Sequence, residues 1–119
     1  MNIIGIGIDV TDLPRIGQML QRYGDRFLRR VFTEREIAYC TRRRNPVPHL
    51  AGRFAVKEAA MKALGTGHAL GVLWKDVEVV RRGGPPQLQL HGGMHVRRSL
   101  VTITHAETVA IAQVMLLGD

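Results

Sequence analysis

The order in which the hydrophobic periods occur constrains this chain most. Residues 2–8, Asn-Ile-Ile-Gly-Ile-Gly-Ile, alternate small and β-branched residues and predict a buried strand that ends at Asp9. From there to Leu64 the apolar patterns have helical spacing. After residue 76 the spacing returns to two. One strand, then helices, then a run of strands argues for an α+β domain with an antiparallel-rich sheet packed against a long helix. A doubly wound parallel sheet would alternate the two kinds of element. Gly5-Ile6-Gly7 is not a dinucleotide-binding fingerprint, because no helix opens directly from those glycines and a third glycine is missing. The two glycines share one strand face, where something approaches closely or packs tightly. With 119 residues, the expectation is one domain over 1–119.

Thr11 or Asp12 is placed to cap the first helix, with Pro14 in its first turn, where a missing N–H costs nothing. Leu13, Ile16, Met19, Leu20, Tyr23, Phe27 and Leu28 form its buried stripe, and Gly24 bends or divides it. Thr33 and Glu36 have capping-box spacing and open a short helix near 34–42. The stretch 42–48, Arg-Arg-Arg-Asn-Pro-Val-Pro, reads as a basic loop. A longer helix is expected from about His49 to Leu64, stopped by Gly65, with Leu50, Phe54, Met61 and Leu64 on its core face. Strands follow at about 77–81, 87–91, 100–105 and 108–116.

The net charge is +7, and residues 13–53 alone account for it, with ten arginines against three acids. A field so concentrated attracts an acidic partner. Nucleic acid, an anionic membrane surface, an acidic protein, a phosphorylated small molecule and a merely solvated face are all open on charge alone. A non-catalytic RNA-binding module is the rival from another functional class. It is weakly supported, because stacking on single strands needs exposed aromatics and aromatic residues are 5% of the chain. No apolar run reaches the length of a membrane span, and no basic leader with a cleavage site opens the chain. A cytoplasmic protein is expected, and the single Cys40 cannot form an internal disulfide.

Asp9 ends an apolar strand, so its carboxylate must be paired, solvated, bound to a cation or used to cap the next helix. Phe54, Glu58 and Lys62 recur every four residues on one helical stripe. Glu58 and Lys62 are oriented for a helix ion pair, and the neighbouring Ala59, Ala60 and Ala63 let something pack close. Two carboxylates, waters and substrate phosphate oxygens make a minimal Mg²⁺ site, and Asp9 with Glu58 suits that description. No zinc-ligand spacing is present. Gly65-Thr66-Gly67 offers either a plain helix C-cap or backbone N–H groups for phosphate. His105, at a strand end, is either structural or a phosphate contact.

Taken in order, these segments resemble the holo-acyl-carrier-protein synthase family, of the 4'-phosphopantetheinyl transferase fold. The resemblance is carried by Gly7-Ile8-Asp9-Val10-Thr11-Asp12 and by Phe54-Ala-Val-Lys-Glu-Ala-Ala-Met-Lys-Ala63 followed by Gly65-Thr66-Gly67. Phe32-Thr33 with Glu36, Leu50-Ala-Gly-Arg53, Ile103-Thr104-His105 and Ala110 to Val114 extend it over essentially the whole chain. Asp12 stands where the family usually has glutamate. The resemblance implies an enzyme that moves phosphopantetheine from coenzyme A to a serine of an acidic acyl carrier protein, releasing adenosine 3',5'-bisphosphate. It implies Asp9 and Glu58 as Mg²⁺ ligands and Lys62 at the pyrophosphate. Arg53, Gly65, Thr66, Gly67, Pro86 and His105 match the nucleotide end, and Arg15 and Arg22 the carrier-docking face. It further implies a homotrimer with the site between subunits, and no nucleic-acid or membrane partner. Glu58 and a metal-bound water are both open as the base for the serine proton. Fatty-acid and polyketide synthesis are both open as the pathway of the carrier.

Overall fold

The computed structural model describes residues 2–65, 73–92, 96 and 98–118. Strand β1 is Asn2–Asp12, and helices α1 Leu13–Tyr23, α2 Asp25–Val31, α3 Glu34–Thr41 and α4 Pro46–Leu64 follow. A 3-10 turn, Trp74–Asp76, leads into strands β2 Val77–Val80, β3 Gln87–Leu90, β4 Arg98–His105 and β5 Val109–Gly118. The antiparallel strands divide into a three-stranded sheet, in the order β1-β5-β4, and a separate β2-β3 hairpin.

The local chemistry explains most boundaries. β1 runs three residues past Asp9, because its ladder with β5 continues to the Asp12–Val109 pair. Asp12 occupies the N-cap of α1 without a side-chain capping bond, and Asp9 takes no part in capping. Gly24, at φ 54°, separates α1 from α2. The capping box of α3 forms in both directions between Thr33 and Glu36. α4 begins three residues earlier than its hydrophobic pattern suggests. Asn45 Oδ1 accepts from the Val47 N–H, and Pro46 fills the first turn, where proline lacks nothing the helix needs. Gly65 closes the helix in the left-handed conformation, at φ 72°.

α4 is buried on nearly every side, as expected of a helix with apolar residues all round. One side rests on the three-stranded sheet, and the glycines of β1 permit this. A Cβ at Gly7 would lie 1.9 Å from the Ala59 carbonyl oxygen, and one at Gly5 equally close to that of Ala63. Two strand residues advance about 6.6 Å and four helical residues about 6 Å, so the contacts stay in step. The same step carries β1 to Asp9 beside the helix turn that bears Glu58. On the opposite sheet face, Ile6, Ile8 and Val10 are each more than half exposed, and Leu100 of β4 is 45% exposed. No helix among the described residues is long and apolar enough to cross a membrane.

Candidate active site

Asp9 faces the helix because it lies two residues beyond Gly7, on the same side of the strand. Its side chain is 16% exposed. Lys62 Nζ donates to Asp9 Oδ1 at 3.2 Å and to the Ile8 carbonyl at 3.1 Å, and the Thr11 hydroxyl donates to Oδ2 at 2.9 Å. Helical side chains lean toward the N-terminus of their helix, so Lys62 reaches back to the level of Asp9. The ion pair therefore joins helix to strand, where the sequence suggested one along the helix. Glu58, one turn before Lys62, is half-buried. The donor set here consists of two hard carboxylates with a lysine beside them, which fits Mg²⁺ shared with phosphate oxygens and does not fit a soft metal.

Glu58 also lines a groove of about 460 Å³ between α1, α2, α4 and the Trp74 turn. Its floor is apolar, with Phe27, Phe54 and Trp74, and Arg15, Arg26 and Arg30 stand around it. Phe54 and Trp74 stack with ring centroids 5.0 Å apart, and the Arg15 guanidinium lies 5.8 Å from the Phe54 centroid. Arg22 is exposed two turns beyond Arg15, on the same helix. Arg15 and Arg22 thus border a surface that is basic above and apolar beneath.

A second cationic cluster lies on the α3 side of α4. Arg53 occupies the stripe next to Glu58 and is 4% exposed. Its guanidinium carbon lies 4.0 Å from the Tyr39 ring centroid, and that of Arg43 lies 3.5 Å away. One face of a six-membered ring has room for one guanidinium, so each arginine covers its own face. His49 meets the ring edge. His105 Nε2 donates to the Pro48 carbonyl at 2.9 Å, and its ring would sit 3.1 Å from a Cβ at Gly52, so the glycine admits it against the helix. Burial, and then the charges of Arg43, Arg53, His105 and Arg81, hold His49 below the usual imidazole range. Pro86 is half-buried in the loop between β2 and β3, and Gly65 is exposed at the end of α4. Thr66 and Gly67 lie outside the described residues.

The concentrated arginines therefore do not form one face. Arg15, Arg22, Arg26 and Arg30 surround the groove region, while Arg43 and Arg53 enclose Tyr39. Arg35 is bound to Glu78 at 2.6 Å. Glu78, in strand β2 of the hairpin, also accepts from Thr33 and His91. Burial opposes its ionisation, but the hydrogen bonds from Arg35, Thr33 and His91 and the charge of Arg35 outweigh this and hold it at about 2.

Sequence reasoning overlooked Lys57. Its side chain is fully buried and pairs with the equally buried Glu36 at 2.8 Å. It donates further to the carbonyls of Val77 at 2.6 Å and Trp74 at 3.1 Å. Burial pushes its amine below the ordinary lysine value, and Glu36 pulls the other way. The available signal was a lysine one position from Glu58 on a helix with no polar face. Cys40 is buried, and desolvation first of all raises its thiol to about 11, so it is not a nucleophile at neutral pH.

Comparison with known proteins adds to this geometry. Residues 5–114 match the model of the 4'-phosphopantetheinyl transferase superfamily. A holo-[acyl-carrier-protein] synthase of Koribacter versatilis is 48% identical over 96% of this chain and 98% of its own length. One from Methylobacterium nodulans is 51% identical over 98% of this chain and 88% of the relative. The crystal structure of the Bacillus anthracis synthase in complex with CoA (3',5'-ADP) superposes with a TM-score of 0.84 at 38% identity, covering 98% of both chains. The Helicobacter pylori synthase in complex with coenzyme A gives 0.85 at 28% identity, over 93% of this chain and 98% of that one.

Proposed function

Because the chain belongs to the 4'-phosphopantetheinyl transferase superfamily and is such a transferase, we propose that it is a holo-acyl-carrier-protein synthase that uses coenzyme A and Mg²⁺. The observation that carries this reading is the carboxylate of Asp9 held by Lys62, one helical turn from Glu58. In the reaction, a serine oxygen of the apo carrier bonds to the β-phosphorus of coenzyme A. The phosphorus–oxygen bond to adenosine 3',5'-bisphosphate breaks, and the serine proton passes to a base. Asp9 and Glu58 are the residues that would hold Mg²⁺, which when bound supplies positive charge to the pyrophosphate. Lys62 adds a second positive charge at the same place and fixes the Asp9 carboxylate.

Arg53 and His105, with Arg43 beside them, form the anion-attracting end of the cofactor site, and Pro86 belongs to the same end. Gly65, with Thr66 and Gly67, belongs to the phosphate-binding segment. Arg15 and Arg22 dock the acidic carrier, whose apolar side chains find the Phe54–Trp74 floor below. This use of the basic surface outweighs RNA binding. Of the six aromatic residues, Tyr23 alone is exposed, while Tyr39 is already covered by two arginines. A cytoplasmic place for the reaction belongs to the same reading.

The test is the intact mass of an apo acyl carrier protein after incubation with this protein and coenzyme A. With Mg²⁺ the carrier gains one phosphopantetheine group, and with EDTA it gains none. Several apo carriers left unmodified with metal present would remove the enzymatic reading.

A homotrimer is part of the proposal. Ile6, Ile8, Val10 and Leu100 make an exposed apolar sheet face, the kind of surface that a partner subunit covers. Light scattering should return three times the 13.3 kDa chain. A stable monomer with full activity would overturn this part.

A further inference from the structure

We propose that Tyr39 is a positioning residue for the cofactor's phosphate monoester, holding one guanidinium on each ring face so that Arg43 and Arg53 act together on a single anion. This inference rests on reading their cluster as the nucleotide end of the coenzyme A site.

Three observations lead to it. First, the charged groups that bear on His49 are Arg43, Arg53, His105 and Arg81, all basic. Like charges gathered this way repel, and the electron-rich faces of a tyrosine offset only part of that repulsion. A phosphate monoester, close to dianionic at neutral pH, supplies the remainder, and coenzyme A carries one at its ribose. Second, Arg53 is almost wholly buried, yet its Nε has no hydrogen-bond partner. Among the described residues its one hydrogen bond, from Nη1 to the His49 carbonyl, is long at 3.4 Å. A guanidinium has five donors, and burying it with so few in use is costly unless a ligand takes up the others. Third, Arg43 is tied to the same residue twice, by its stack on the ring and by a 2.8 Å bond from Nη1 to the Tyr39 carbonyl. Free arginines lose rotamer freedom when they grip a ligand; arginines already stacked have lost it beforehand. Tyr39 lies on α3, Arg43 just beyond it and Arg53 on α4, so one ring sets the spacing of two elements.

The experiment compares binding of coenzyme A and 3'-dephospho-coenzyme A to the assembled protein by calorimetry. The preference for coenzyme A isolates the monoester and does not depend on turnover. Tyr39→Leu should reduce this preference by about tenfold or more, the scale of one charge-assisted hydrogen bond. Tyr39→Phe, which keeps the ring, should retain it. A preference that survives in Tyr39→Leu but falls in Arg43→Ala would overturn the role of Tyr39 and leave the cluster assignment intact. Arg43→Ala and Arg53→Ala both without effect would overturn the cluster assignment itself. Loss in both Tyr39 variants would transfer the role from the ring to the hydroxyl and contradict the stacking argument. Should Tyr39→Leu fail to fold, Arg43→Lys takes its place, because it keeps the charge and removes the plane that stacks. An unchanged preference there also counts against the proposal.

Discussion

Asp9→Ala and Glu58→Ala should each slow transfer of phosphopantetheine by roughly 10²–10³-fold or more, the range for removing one preorganised electrostatic group from a reacting centre. The fold should survive both changes. Lys62, the partner that Asp9→Ala releases, has a side chain 57% exposed, so water replaces the lost contact. Such exposed pairs contribute about 0–1 kcal/mol. Glu58 lines an open groove and is half-buried, so its removal leaves no closed cavity. Activity and stability therefore separate, and that separation is the diagnostic. Thermal melts within a few degrees of the parent, with single-turnover transfer nearly abolished, are the expected pair of results. Asp9→Asn sharpens the test. It keeps the size and an acceptor oxygen for Thr11, but removes the charge that pairs with Lys62 and that the proposed Mg²⁺ would need. It should behave like the alanine variant in turnover. Normal transfer by Asp9→Asn or by Glu58→Ala would end the two-carboxylate assignment.

The parts of this arrangement legible in the sequence were those governed by local chemistry. The glycine pair of β1 announced a close approach, and the alanines of α4 announced the same from the other side. Neither alone says that the two meet, and the structure shows Gly5 over Ala63 and Gly7 over Ala59. The capping box, the Gly24 break and the Gly65 stop depend on neighbours within four residues, and each was found at its expected place. What remained hidden depends on pairs distant in sequence. Lys62 bonds Asp9 across 53 residues, although its helical neighbour Glu58 was the nearer candidate. Tyr39 reads as an ordinary member of a short helix until Arg53 folds onto it from α4. The strand pattern also gave no sign that β2 and β3 would form a separate hairpin, because sheet membership is settled by packing against α4 and not by period. Within α4, residues 54, 58 and 62 face the groove and β1, while 53 and 57 face α3. A shift of one residue thus separates the proposed chemistry from the groups that support it.

That second stripe carries the largest expected effect on stability. Lys57→Ala should destabilise the protein by about 3–5 kcal/mol, because Glu36 would be left charged and buried without its partner. Domains of this size have about 5–15 kcal/mol in total, so the variant would be close to unfolding. Both side chains have no measurable exposure, and water cannot replace either one. Glu36→Ala should cost at least as much, because the Thr33 and Val79 N–H groups lose their acceptor along with Lys57. The cause is an isolated charge rather than a missing contact, so Lys57→Met combined with Glu36→Leu should be milder than the two single effects added together. Urea unfolding of the four proteins in this cycle measures the difference, and equal slopes would confirm that only stability has moved. The loss also reaches the groove. Lys57 holds the Trp74 carbonyl, Trp74 stacks on Phe54, and Phe54 lies beneath Arg15. A variant that still folds should therefore bind the acidic carrier more weakly while its Asp9–Lys62 contact persists. Strict additivity in the cycle, or a single-variant loss below about 1 kcal/mol, would show that Lys57 and Glu36 do not depend on each other as a buried pair must.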